Sequence, residues 1–205
     1  MSSPIDPSTV FGQAIAEHLS VVKSLASQES VLRQIATEMT QAVVGGNKIL
    51  WCGNGGSAAD AQHLAAELVG RFRHERRGLP SIALTTDTSI LTSIANDYGY
   101  DEVFRRQIEA LCVAGDVVIG ISTSGSSKNV CAALRSAREL GAFTAALTGT
   151  TGGSLAAIAN VTLRIPSDDT ARIQEAHILC GHMLCDWVEC SVCRAQKAEF
   201  QVAGR

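Results

Sequence analysis

His63 and Glu67 stand four residues apart in Ser57 to Leu68, a stretch that contains neither proline nor glycine. Four residues is just over one helical turn, so an imidazole and a carboxylate at this spacing share one helix face. There they can hold a metal ion jointly or share the transfer of a proton. A plain surface contact has the same spacing, and on an arbitrary helix it is the commoner reading. Position brings the two readings level, because the helix opens directly from the turn Gly53-Asn54-Gly55-Gly56, which itself follows the apolar run Ile49-Leu50-Trp51-Cys52. A strand, a tight glycine turn and a helix N-terminus in that order bring unpaired backbone N–H groups close to an anion. The first expectation is therefore a phosphorylated small molecule.

A second strand exit repeats the theme with hydroxyls. In Gly120-Ile121-Ser122-Thr123-Ser124-Gly125-Ser126-Ser127, five of the six residues from Ser122 onward carry one. Together with local N–H groups, Ser122, Thr123, Ser124 and Ser127 can surround a phosphate without any cationic side chain. Helix N-termini also favour Ser and Thr as caps, but the density here favours phosphate. Gly53, Gly55 and Ala58 satisfy the dinucleotide pattern G-x-G-x-x-A as well. That reading needs an acid about 20 residues on, at the end of the second strand, and Asp87 comes roughly ten residues late. The hydroxyl-rich exit has no part in that fingerprint, so nicotinamide binding is set aside.

A third polar group is Arg172-Ile173-Gln174-Glu175-Ala176-His177 with His182, on a helix that otherwise reads as core through Ile178, Leu179, Met183, Leu184, Trp187 and Val188. Gln174 and His182 lie about 12 Å apart along such a helix, awkward for ligands of one ion unless both side chains lean inward. His182 is equally readable as a satisfied core histidine. Asn96-Asp97 precedes Tyr98-Gly99-Tyr100 and reads as a turn. The mixed run Arg71-Phe72-Arg73-His74-Glu75-Arg76-Arg77 reads as a solvated loop, from which Arg71 could reach a phosphate across a subunit interface.

These groups need a frame. Apolar runs at Ile49 to Cys52, Ser81 to Leu84, Val117 to Ile121, Phe143 to Leu147 and Val161 to Ile165 alternate with helical stretches. The helices are expected near Ser57 to Phe72, Asp87 to Ala95, Glu102 to Leu111, Ser126 to Leu140, Ser154 to Ala159 and Ala171 to about Val192. Such alternation predicts an α/β fold, a parallel sheet covered by helices with ligands beyond the carboxyl ends of its strands. Two amphipathic helices come first. One carries Val10, Phe11, Ile15, Leu19, Val22 and Leu25; the other carries Val31, Leu32, Ile35, Met39 and Val43, with Ser30 as its cap and Gly45-Gly46 as its stop. Their apolar faces suit subunit contact. The 205 residues read as one domain, 1–205, with 9–44 as N-terminal helices.

A formal net charge of −3, without long runs of one sign, leaves no footprint for nucleic acid. No apolar stretch reaches the ~18 residues of a membrane span, and Met1 to Pro7 is polar, so a cytoplasmic protein without membrane partners is expected. The seven cysteines, an odd number mostly within apolar segments, read as reduced buried thiols. Cys190 and Cys193 form a C-x-x-C with no second pair at zinc-finger spacing and read as helix packing.

Combined over nearly the whole chain, these motifs resemble the sugar isomerase (SIS) domain family, and within it the isomerases of a heptose phosphate. The resemblance rests on the glycine turn with Ser57-Ala58-Ala59-Asp60, Gln62-His63 with Glu67, Leu84 to Asp87, Asn96-Asp97-Tyr98-Gly99, Ile121 to Gly125, and Arg172 to His177 with His182. It implies a flavodoxin-like five-stranded parallel sheet and a homotetramer with sites between subunits. The implied reaction converts sedoheptulose 7-phosphate to D-glycero-D-manno-heptose 7-phosphate, the first step toward the activated heptose of surface polysaccharide such as lipopolysaccharide. Phosphate contacts are implied for Ser122, Thr123, Ser124 and Ser127, and sugar contacts for Asn54, Gly55, Gly56, Glu67, Asn96, Asp97 and Gln174. One zinc ion per subunit is implied on His63, Glu67, Gln174 and His182. For the ketose–aldose exchange Glu67 is the expected base and His182 its acid partner. The family also holds non-catalytic scaffolds that bind the bacterial replication initiator and lack that acid and histidine; this chain keeps both. An isomerase of another sugar phosphate is the enzymatic alternative.

Overall fold

The computed structural model describes residues 7–203. Five strands, β1 (Ile49–Gly53), β2 (Ser81–Ala83), β3 (Val117–Ser122), β4 (Phe143–Thr148) and β5 (Val161–Arg164), form one parallel sheet in the order β2-β1-β3-β4-β5. β1 and β3 are buried along their whole length. Helices on both faces explain why these strands read as unbroken apolar runs rather than as alternating ones. Alternation shows instead in the layer each side chain joins. Ile49, Trp51, Ile119, Ala145 and Leu163 enter a core shared with α2 (Glu29–Val44), α3 (Gly56–Val69), α8 (Thr170–Ala203) and the end of α1 (Val10–Ser24). Leu50, Cys52, Val118 and Ala146 enter the opposite core, under α4 (Thr88–Tyr98), α5 (Arg105–Leu111), α6 (Lys128–Glu139) and α7 (Leu155–Ile158).

The chain steps outward from β1 to β2 and then crosses to β3 on the other side of β1. At such a reversal the loops leaving the two central strands part and open a crevice. Register pairs Cys52 with Gly120 and Gly53 with Ile121, which sets the glycine turn beside Ser122.

Several boundaries differ from the expectation. α3 ends at Val69 rather than Phe72, at the break supplied by Gly70. α8 passes Val192 and runs to Ala203, since glycine and proline are absent from 182–203. Asn96 and Asp97 are not in a turn but in the last turn of α4, which Gly99 ends. Asp87, weighed above as a ribose ligand, caps α4 by accepting from the Ile90 N–H at 2.9 Å. The stretch from Glu102 opens as a short 3-10 turn, Tyr100–Glu102, and α5 begins only at Arg105. Ser30 is not a cap, because a preceding 3-10 turn, Leu25–Gln28, leads straight into α2 at Glu29.

Five of the cysteines are buried, and Cys190 and Cys193 are half-buried on α8. Burial pushes the thiols of Cys52, Cys180 and Cys185 up to about 12, which keeps them protonated and inert. Among the described residues no helix is long and apolar enough to cross a membrane.

Candidate active site

β1 leads into Gly53-Asn54-Gly55-Gly56, where Gly55 takes φ +55° and ψ −121°, a conformation that a side chain would strain. α3 starts at once, and α8 runs beside it in the same direction. The two helices touch closely, since a Cβ built at Gly181 would come 2.5 Å from Leu64 Cδ1. That approach brings the next residue of α8, His182, to His63 with Nε2 atoms 3.0 Å apart. Glu67 Oε1 lies 3.1 Å from His63 Nε2, and one ligand atom from each of the three residues falls within 4.8 Å of the others. Phe72, just past α3, stacks on the His182 ring at 5.5 Å between centroids and 25° between planes.

Two imidazole nitrogens facing one another at 3.0 Å need a proton or a cation between them, because two bare lone pairs repel. Zinc is bound by nitrogen and carboxylate ligands at about 2.0–2.2 Å, so neighbouring ligands of a tetrahedral site stand roughly 3.4 Å apart. The two separations at His63 Nε2, 3.0 and 3.1 Å, are close to that, and the donor set of two imidazoles and a carboxylate fits the ion. Gln174 lies elsewhere along the helix pair. A Cβ at Gly56 would come 2.5 Å from its Nε2, which puts the amide over the opening of α3, about two turns from His63 along the axis. Asp60, one turn before His63, has a buried Oδ2 with no hydrogen-bond partner. Burial pushes this carboxyl up to about 6, against the lesser opposing influence of His63.

The hydroxyl loop is compact at the exit of β3. Ser122 Oγ lies 2.9 Å from Ser127 Oγ and 3.4 Å from Ser124 Oγ, and the Ser126 N–H donates to Ser124 Oγ at 3.2 Å. Gly125 turns the loop at φ +65°, where a Cβ would come 2.2 Å from the Gly152 carbonyl oxygen. Ser127 takes the cap position of α6 but makes no side-chain cap bond; the Val130 N–H donates to Asn129 Oδ1 at 2.9 Å, which leaves the N–H groups of Lys128 and Asn129 to face the loop. The loop thus offers hydroxyls and helix-end donors together, the chemistry an anion needs.

Asn54 joins the two strand exits. Its amide and that of Asn129, in the first turn of α6, exchange bonds of 2.9 and 2.8 Å, and the Tyr100 hydroxyl donates to Asn54 Oδ1 at 3.1 Å. Asn96 and Asp97 are exposed and bonded to each other, Nδ2 to Oδ1, at 2.8 Å. Arg71 is exposed and 3.8 Å from Glu75, with no link to the hydroxyl loop among the contacts of the described residues.

The profile of the SIS domain matches residues 11–149. The phosphoheptose isomerase of Aquifex aeolicus is 55% identical over 184 residues, spanning 90% of this chain and 95% of that relative. The chain belongs to the SIS domain family. This SIS chain is also similar to the solved phosphoheptose isomerase GmhA of Neisseria gonorrhoeae, at 45% identity and a TM-score of 0.85, and to that of Francisella tularensis, at 35% and 0.87. Each structural match covers 90% of the SIS chain and 99% of the other.

Part of this SIS site is invisible in the motifs. The basic run after α3 is not simply solvated, because the Arg76 side chain is 1% exposed and its Nε lies 2.9 Å from Glu189 Oε1, a carboxylate that is itself fully buried. A lone acid on the helix phase of Leu184, Cys185, Val188 and Val192 was the available signal, since a carboxylate on a buried face requires a partner. Asn129 gave no such sign; its role depends on Asn54 arriving opposite it from another strand.

Proposed function

We propose that this SIS-family protein is a phosphoheptose isomerase, acting on sedoheptulose 7-phosphate in heptose biosynthesis through the site just described. The observation that carries the reading is the convergence of His63, Glu67 and His182 in a chain 55% identical to an enzyme of that name. Ser122, Thr123, Ser124 and Ser127 hold the phosphate. Asn54, Gly55, Gly56, Asn96, Asp97 and Gln174 hold the sugar, with Asn54 braced by Asn129.

Glu67 takes the proton from C1 of the ketose while His182 donates one to the C2 oxygen, which gives an enediol. His182 then recovers the proton of the C1 hydroxyl as Glu67, its proton exchanged with solvent, protonates C2, leaving an aldehyde at C1 and a new hydroxyl-bearing carbon at C2. His63, Glu67 and His182, joined by Gln174 if its amide swings along α3, are the residues that would hold zinc, and Glu67 and His182 would serve as base and acid only when released from it. When bound, zinc polarises the carbonyl and hydroxyl oxygens of the substrate. Subunits assemble as a cytoplasmic homotetramer, a reading supported by the exposed face of α1, where Phe11, Ile15 and Leu19 are 81%, 61% and 51% exposed.

Glu67→Gln tests the core of this reading. The amide keeps the shape but not the basicity, so kcat should fall about 10²–10⁴-fold in a folded protein whose metal content is measured in the same sample. Exchange of the C1 proton with solvent should vanish with turnover. A variant that keeps its metal and exchanges C1 at the wild-type rate would place the base elsewhere.

A further inference from the structure

We infer that Phe72, Arg76 and Glu189 are positioning residues for the reacting cluster, the ion pair fixing the loop that carries Phe72 and the turn that carries Glu67, and Phe72 fixing the plane of His182. The inference rests on the site proposed above. None of the three belongs to the donor set of that site, and their geometry links Glu67 to His182.

Glu189 lies two turns beyond His182 on α8 and is fully buried. Its Oε1 accepts from the Phe72 N–H at 2.8 Å, and its Oε2 accepts from the N–H groups of Arg73 and His74 at 2.6 and 2.9 Å. Burial by itself raises such a carboxyl, but the three backbone donors and the Arg76 charge together outweigh it and hold Glu189 below its ordinary value. The carboxylate therefore stays ionised, and three successive amides of the loop are gripped by one side chain. Arg73 adds an exposed charge contact to Asp186 at 3.5 Å.

Arg76 acts at the other end. Nη2 donates to the Glu67 carbonyl at 3.0 Å, and Nη1 to the carbonyls of Leu68, Gly70 and Arg77 at 2.9, 3.1 and 3.1 Å. The Glu67 and Leu68 carbonyls belong to the last turn of α3, where carbonyls have no partner within the helix. One guanidinium thus caps the turn from which the Glu67 side chain projects. Its Nε faces Glu189 as a charge contact rather than as an aligned hydrogen bond. The result is a closed circuit from Glu67 through Arg76 to Glu189, from Glu189 through the loop to Phe72, and from Phe72 by ring stacking to His182. A buried pair is strongly destabilising to break from one side, so this circuit has few alternative arrangements.

The test compares Phe72→Ala, Phe72→Tyr and Arg76→Lys in the full-length protein acting on sedoheptulose 7-phosphate, with His182→Gln alongside. Lysine keeps a charge beside Glu189 but cannot fork to four carbonyls. Phe72→Ala and Arg76→Lys should each lower kcat about tenfold, the scale of a supporting residue, with KM changed less than about threefold. Phe72→Tyr, which keeps the ring, should restore kcat to within about twofold. The His182 Cε1–H resonance, assigned by its loss in His182→Gln, should move in Phe72→Ala and return in Phe72→Tyr. Should Arg76→Lys fail to fold, the two Phe72 variants and the resonance decide the matter. An inactive His182→Gln beside a Phe72→Ala of wild-type kcat and unmoved resonance would overturn the positioning role alone. Full activity in His182→Gln would overturn the site assignment, and this inference with it.

Discussion

His177 and His182 are five residues apart on α8 and have opposite surroundings. His177 is fully buried, with Nε2 3.2 Å from the Thr148 carbonyl and Nδ1 without a partner. Burial, the dominant influence, lowers it from 6.5 to about 4 against the smaller upward pull of the Thr148 carbonyl. The folded state thus binds fewer protons than the unfolded chain between those values. Stability from neutral His177 is complete above pH 6.5 and is lost as pH falls toward 4, by about 3 kcal/mol. Urea melts at pH 7 and pH 4.5 should show most of this drop, about 2 kcal/mol, and it should shrink by that amount in His177→Gln; an identical drop in both proteins would refute the assignment. The core histidine that the sequence allows at His182 is in fact His177, with only its Nε2 partnered. Type and spacing name both residues, but only the phase of α8 against α3 and β4 tells them apart. For the same reason His63 and Glu67 were legible as a pair on one helix, whereas their meeting with His182 required the packing of two helices 119 residues apart in sequence.

At the scale of elements, all five strands were legible, the inner β1, β3 and β4 because burial on both faces leaves few polar residues to interrupt them, the half-exposed edges β2 and β5 as shorter runs in the same alternation with helices. Helix ends were less so. Asn96-Asp97 has turn-forming composition, yet α4 runs through it to Gly99, and the basic run after α3 looks solvated until its buried acid on α8 is known. The opening of α3 gives a prediction at this scale. Gly56→Ala would drive a methyl group onto the Gln174 amide, 2.5 Å away, and only a flexible side-chain end must move. Stability should therefore change by no more than about 1 kcal/mol, since alanine also favours the helix. Gln174 would be displaced from the glycine turn, so KM for the sugar phosphate should rise several-fold. An unchanged KM would mean that Gln174 has no sugar contact there.

On the scale of the whole molecule, one face of α1 is left over by the packing. Arg172 ties α1 to the start of α8 by donating to the Ala14 carbonyl at 3.0 Å, and His18 lies 2.8 Å from Glu175. Phe11, Ile15 and Leu19 are exposed along α1, an apolar stripe that the described residues leave open to solvent. Phe11→Asp should leave the fold intact, since the side chain is 81% exposed, while sedimentation should show the proposed tetramer dissociating; an unchanged sedimentation coefficient would remove α1 from the subunit contact. The sheet order, the two cores and the paired strand exits all serve one claim, that this molecule moves a proton between adjacent carbons of a phosphorylated heptulose. Incubating the protein with sedoheptulose 7-phosphate in deuterated water tests it most directly. The account predicts a heptose 7-phosphate aldose bearing deuterium at C2, and no turnover of the unphosphorylated heptulose at comparable concentration. Absence of any aldose, or equal turnover with and without the phosphate, would contradict it.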